Sequence, residues 1–175
     1  FLQKKWRRRN KLNLKIWKSE KLSNKHKFSD FNFFKFSDST KMYGLLGRKL
    51  GHSFSKEYFT DKFSRLNLND SYVNIELDDM SEIVSFVKEN KDLKGFNVTV
   101  PYKEKIIPYL DDIDNVAKEV GAVNTVKVYN NGMLKGFNTD VIGFEKLLES
   151  TRLQDNKTTS LIFGSGGASK AVQYV

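Results

Sequence analysis

From Met42 onward the chain alternates short apolar runs with amphipathic ones. MYGLLG, Met42 to Gly47, reads as a first buried strand. SYVNIEL sets Val73, Ile75 and Leu77 on one face, and this period of two predicts a second strand. In GFNVTV, the third, Phe96, Val98 and Val100 are expected on the core face and Asn97 and Thr99 on the other. Pro101 has no ladder donor and ends that strand, and Lys103 follows two residues later, so the polar face reads as the wall of a site. Between the strands the period changes. Ser55 is the expected N-cap of a helix carrying Phe59, Phe63 and Leu66, and Met80, Ile83, Val84 and Val87 form a second helical stripe.

Further on, KEKIIPYL predicts a helical stretch broken by Pro108, and DNVAKEVG a helix stopped by Gly121. AVNTVKVYNNGMLKGFN predicts a hairpin turning at Asn130, Asn131 and Gly132, residues that tolerate positive φ. Val141, Phe144 and Leu148 mark one more helix. Strands interleaved with helices predict an α/β class with an open sheet and helices on both faces. A polar linker, STRLQDNKT, then leads into TSLIFGSGGASKAV, which reads as a buried strand, a glycine-rich turn and the start of a helix. That order opens a dinucleotide-binding unit, in which glycines let the backbone approach a pyrophosphate at a helix N-terminus. A βαβ unit takes about 30 residues or more, so the unit is expected to be begun here and not completed. The expected division is a leader over 1–41, a substrate domain over 42–150, and a linker with the truncated start of a Rossmann domain over 151–175.

Charge changes the picture only at one end. The net charge of +9 resides in residues 1–41, which hold 13 Lys/Arg against 3 Asp/Glu. Residues 42–175 hold 17 against 18. The leader lacks Gly, Pro, Ala and Val and has no apolar stretch of a secretory signal. Three readings stand for it: a disordered extension, a targeting segment, or a nucleic-acid-binding arm in which Trp6, Trp17 and the phenylalanines from Phe28 to Phe36 stack on bases. No run approaches the roughly 18 apolar residues of a membrane span. Cysteine is absent and only His26 and His52 occur, so neither thiol chemistry nor a histidine metal centre is expected, and a reducing, cytoplasmic compartment fits.

Each candidate residue has a plainer reading. A lysine after a strand is commonly a solvated charge, Asp140 stands where a helix N-cap would, and DDIDN from Asp111 to Asn115 suits a helix start better than a metal site. His52 suits a structural bond at a turn. The glycine turn alone is weak, since Ser169 occupies the third glycine or alanine position of the dinucleotide fingerprint.

Taken in order, GHSFS, GFNVTVPYK, GAVNT, GFNTD and GSGGASKA resemble the shikimate dehydrogenase family from about Met42 to the last residue. The resemblance implies that Ser53 and Ser55 bind a substrate carboxylate, and that Asn97, Thr99, Asn124 and Asp140 contact the ring hydroxyls. It implies Lys103 as the catalytic lysine, paired with Asp140, and a phosphate loop for NADP at Gly164, Ser165, Gly166, Gly167 and Ala168. The implied reaction is reversible, NADPH-dependent reduction of 3-dehydroshikimate to shikimate, by a monomer or homodimer without membrane or nucleic-acid partners. A quinate/shikimate dehydrogenase is the alternative within the family, and serine at 55 resembles the shikimate users. GRKLGHS lacks a proline common in the family, and Lys56 stands where proline is usual. The family's NADP-selecting basic residues, its late glutamine and its C-terminal helix have no counterpart in these 175 residues, so the chain alone is expected to be a partial, inactive enzyme.

Overall fold

The computed structural model describes residues 40–51, 53–151 and 159–175. The readings of the leader, of His52 and of most of the linker fall outside these residues. Among the described residues, six strands form one mixed sheet: β1 (Met42–Gly47), β2 (Ser71–Glu76), β3 (Leu93–Val98), β4 (Asp112–Ile113), β5 (Thr125–Val128) and β6 (Leu134–Phe137). Their order is β2-β1-β3-β5-β6-β4. β1 runs parallel to β2 and β3, whereas β5 is antiparallel to both β3 and β6, and β4 lies parallel to β6 at the edge.

One face of the sheet is apolar. Leu46, Phe96, Val98, Val126 and Val128 project from it onto Ile83 and Val87 of α2 (Ile83–Glu89), onto Tyr102 and Ile106, and onto Ala117 of α3 (Asn115–Val120). Met80 to Glu82 form a 3-10 turn that leads into α2, closed by a capping box between Asp79 and Glu82. Gly121 ends α3 in the left-handed region at φ 68°, where a side chain would strain the backbone. The other face carries α1 (Phe54–Arg65), none of whose described residues is buried. It rests on the sheet through aromatic rings: Phe59 stacks on Tyr72 at 4.6 Å, and Phe63 tilts against Tyr43 at 5.7 Å. The expected open α/β sheet with helices on both faces is therefore present.

Several expectations are corrected in detail. Ser53, not Ser55, caps α1, its hydroxyl oxygen accepting the Lys56 N–H at 3.2 Å. Leu66 is exposed at the C-cap instead of packed, and Val84 is half out of its stripe. Val100 is 75% exposed because β3 stops at Val98, and residues 99–106 then coil as successive turns. KEKIIPYL gives only a 3-10 turn at Ile107–Tyr109, with Pro108 in its first positions. The acidic run divides: Asp112 enters β4, and Asp114 caps α3 by accepting from Val116 N–H. Of the hairpin residues only Gly132 has positive φ, and Asn131 instead accepts the Met133 N–H with its side chain.

The largest correction lies at residues 159–163, expected to be a buried strand. They pair with none of the six strands, and Leu161 and Phe163 are 78% and 87% exposed. A strand is stable only within a sheet, and the apolar run has no strand beside it among the described residues. The glycine turn and helix beyond it do form, as α5 (Gly167–Tyr174).

Candidate active site

The turn after β3 determines where Lys103 points. Its neighbours Tyr102 and Ile106 are buried, and the Tyr102 hydroxyl donates to the carbonyls of Leu77 and Asp78. Lys103 itself accepts the Val123 N–H on its carbonyl at 2.7 Å. With the core side of the turn anchored, the lysine side chain leaves on the opposite side and meets α4 (Asp140–Glu149). Its Nζ donates to Asp140 Oδ2 at 2.6 Å, in a partly buried pair with side-chain exposures of 16% and 34%.

Asp140 does not serve as the helix cap its position suggested. Thr139 occupies the N-cap without a side-chain cap bond, and Asp140 spends its carboxylate on Lys103 and on Asn124 Nδ2, the latter at 2.7 Å. A charge-assisted bond to an ammonium is stronger than a bond to a neutral amide, which explains the choice. Near the helix start the carboxylate also sits at the positive end of the dipole. Asn138 fixes this arrangement from below, donating to Ala122 O at 2.9 Å and accepting the Asp140 N–H at 3.0 Å.

Asn124, 8% exposed, is the centre of the polar network. Its Oδ1 accepts the Thr139 N–H at 2.9 Å and the Thr125 hydroxyl at 3.0 Å. Asn97 Nδ2 donates to Thr125 Oγ1 at 3.2 Å, and the Tyr72 hydroxyl donates to Asn97 Oδ1 at 2.9 Å. One chain of hydrogen bonds thus joins Tyr72, Asn97, Thr125, Asn124, Asp140 and Lys103. Thr99 lies beside it, its N–H donating to Leu46 O and its methyl 3.0 Å from where a Gly47 Cβ would stand. Ser53 accepts in the cap through its oxygen, and its hydroxyl proton has no acceptor among the described residues.

Tyr72, Thr125, Thr139 and Asn138 escaped the reading of the sequence. Tyr72 had a signal: if Val73 and Ile75 face one way, Tyr72 faces the other, with Asn97. Thr125, Thr139 and Asn138 sit inside the quoted GAVNT and GFNTD, beside the residues that were singled out. A groove of about 300 Å³ opens on this face, lined by Tyr43, Phe59, Tyr72, Asn97 and Thr125 among others. Burial pushes the Tyr72 phenol up to about 12, with the Ser55 side chain opposing the rise.

The glycine turn reaches the same place. Gly164 has φ 117°, a conformation for glycine, and a Cβ added at Gly166 would meet nothing. The first amides of α5 have no side-chain cap, so the loop offers open N–H donors of the kind that receive an anion. Gly167, by contrast, is buried: a Cβ there would stand 2.9 Å from Lys103 Cβ and 3.1 Å from Ala122 Cβ. Behind it Ala171 packs with Val120, Ala122 and Val141, and Lys170 Nζ pairs with Glu104 Oε2 at 2.6 Å. Ser165 and Ala168 are exposed in this loop.

Residues 45–126 match the model of the shikimate dehydrogenase substrate binding domain. A shikimate dehydrogenase (NADP(+)) of Halothermothrix orenii is 46% identical over 140 residues, covering 78% of this chain and 48% of the relative. Among solved structures, shikimate dehydrogenase 1 of Peptoclostridium difficile superposes with a TM-score of 0.70 at 40% identity, over 77% of this chain and 50% of that one. Shikimate dehydrogenase of Thermus thermophilus, solved with NADP(H) and shikimate, gives 0.67 at 32% identity, over 77% and 51%. The chain spans about half the length of the curated relatives it matches. Residues 45–126 are thus a shikimate dehydrogenase substrate binding domain by family model, and the fold around them matches that of solved shikimate dehydrogenases.

Proposed function

We propose that this chain carries the substrate-binding and catalytic part of an NADP-dependent shikimate dehydrogenase, which interconverts 3-dehydroshikimate and shikimate. We place the functional division as the sequence suggests, with substrate binding over 42–150 and the start of nucleotide binding over 151–175. The observation that carries this reading is the Lys103–Asp140 pair, tied through Asn124 into the polar face of the matched domain. The relatives' names supply the reaction, and the residues present suit it.

Ser53 and Ser55, at the head of α1, offer hydroxyl donors to a carboxylate at the positive end of the helix. Asn97, Thr99 and Asn124 present amide and hydroxyl groups to ring hydroxyls and fix which ring carbon faces the nucleotide. Gly164, Ser165, Gly166, Gly167 and Ala168 would hold the pyrophosphate of NADP, and the open donors of α5 fit that anion. When bound, NADP supplies or takes up the hydride. Lys103 does the proton work. As the carbonyl is reduced, the ammonium stabilises the developing charge on oxygen and gives it a proton; in the reverse direction the amine accepts the hydroxyl proton. Asp140 holds the lysine in place and balances its charge.

The test is shikimate-dependent NADPH formation by the natural gene product that contains residues 42–175, with Lys103→Ala beside it. Activity that drops by about 100-fold or more in the variant, the scale of a lost general acid/base, supports the assignment. A folded product that neither turns over nor binds shikimate overturns it.

A further inference from the structure

Helix α5 meets the substrate domain through one stripe. Gly167, Lys170, Ala171 and Tyr174 recur at i, i+3, i+4 and i+7, the spacing that sets side chains on a single helical face, and each makes a contact outside the helix. The two small residues bring the surfaces together. Gly167 lies against Lys103 and Ala122, and Ala171 is buried with Val120, Ala122 and Val141. A glycine and an alanine permit close approach but bring only one methyl between them, so they bury little and leave the helix free to turn about the contact.

The two long residues supply the missing constraint. Lys170 Nζ pairs at 2.6 Å with Oε2 of Glu104, which stands on the turn that carries Lys103. The same ammonium lies at the C-terminal end of α3, 4.0 Å from where a Gly121 Cβ would stand, by the negative end of that helix dipole. Tyr174, one turn further along α5, donates its hydroxyl to Glu119 Oε2 on α3 at 2.7 Å. The ion pair is partly open to solvent and adds little stability. Two attachments on two different elements nevertheless define a direction, which one alone would not. Residues 159–163, ahead of the glycine turn, pair with none of the six strands, so it is this stripe that holds α5 in place among the described residues.

We propose that Lys170 is a positioning residue: through Glu104, with Tyr174 on Glu119 as the second attachment, it docks α5 on the substrate domain so that the glycine turn and Lys103 move as one body. The turn then presents its amides at a set distance and angle from that lysine, and a nucleotide held there meets the substrate in a fixed geometry. The ligand of the turn and the role of Lys103 rest on the function proposed above, whereas the docking itself does not. Lys170 acts through Glu104 and touches no reacting atom.

The experiment uses the natural gene product that contains residues 42–175. Free of ligand, the Ala171 methyl is followed by NMR through its cross-peaks to the methyls of Val120 and Val141. Lys170→Glu, which sets like charge against Glu104, is expected to weaken these cross-peaks, and unchanged ones overturn the proposal. Oxidation of shikimate with NADP is then compared for Lys170→Met, Glu104→Gln and the double variant. Each single change is expected to lower kcat about 3-fold, the scale of a partly exposed ion pair, with KM for NADP and for shikimate within about 2-fold of the unaltered values. Because the two side chains act as one contact, the double variant is expected to lose no more than either single one. Losses that multiply, a loss carried by KM alone, or an unchanged kcat overturn the positioning role. If the unaltered product turns over no shikimate, the function proposed above fails while the cross-peaks still decide the docking. Should Lys170→Glu not fold, Lys170→Met takes its place in the NMR comparison, with weaker cross-peaks expected and unchanged ones again overturning the proposal.

Discussion

The two faces of the sheet are held by different forces. On the apolar face Leu46, Ile75, Ile83, Leu93 and Ile106 are buried to 2% exposure or less, and shape complementarity among side chains fixes the structure. On the opposite face hydrogen bonds run from Tyr72 to Lys103 through Asn97, Thr125, Asn124 and Asp140, and a helix with no buried described residue rests on Tyr72 at one end. The first face resists substitution because atoms would be lost from contact. The second resists it because donors and acceptors would be left unmatched, and it has room to receive a ligand.

Substitutions sharpen this contrast in order of size. Ile106→Ala on the apolar face is expected to cost about 2–5 kcal/mol by urea unfolding, since the site is fully enclosed. Asn124→Ala, at the centre of the polar network, should cost about 1–3 kcal/mol, because Thr139 N–H and Thr125 lose their acceptor. Tyr72→Phe should cost about 1 kcal/mol near neutral pH. Its signature is alkaline: between the ordinary phenol value of 10.0 and about 12, the unfolded chain releases the Tyr72 proton while the folded chain keeps it. Folding stability should therefore fall as pH rises through that window, and the fall should shrink in Tyr72→Phe. An absorbance titration should show one late tyrosinate fewer in the variant. Arg65→Ala, at an exposed ion pair with Asp61 on α1, should change stability by no more than about 0.5 kcal/mol, and a larger loss would mean that α1 is better anchored than its exposure indicates.

Much of the first face was legible because burial leaves a period. Val73, Ile75 and Leu77 alternate, Met80, Ile83 and Val87 recur at helical spacing, and Gly121 ends its helix as the pattern requires. The pattern failed where tertiary context decides. Val100 continued the alternation in sequence, but β3 had already ended, and LIF at 161–163 had strand composition without a strand to pair with. On the second face, residue types and their order suggested Asn97, Lys103, Asn124 and Asp140, and these lie in one network of contacts. What the sequence hid was the linkage. Tyr72 looked like one more aromatic, and Asp140 looked like a cap, because a side chain's choice between a local amide and a distant ammonium depends on where the distant group comes to rest.

Gly167 belongs to the glycine turn by sequence, proposed above to hold a pyrophosphate, and to the wall behind Lys103 by contact, with Ala122 as the third surface. Positions 103, 122 and 167 are therefore an epistatic set. An alanine at 167 would present in an activity assay as a nucleotide-loop defect while displacing the lysine stem, and Ala122→Gly is the second-site change expected to return part of the missing room.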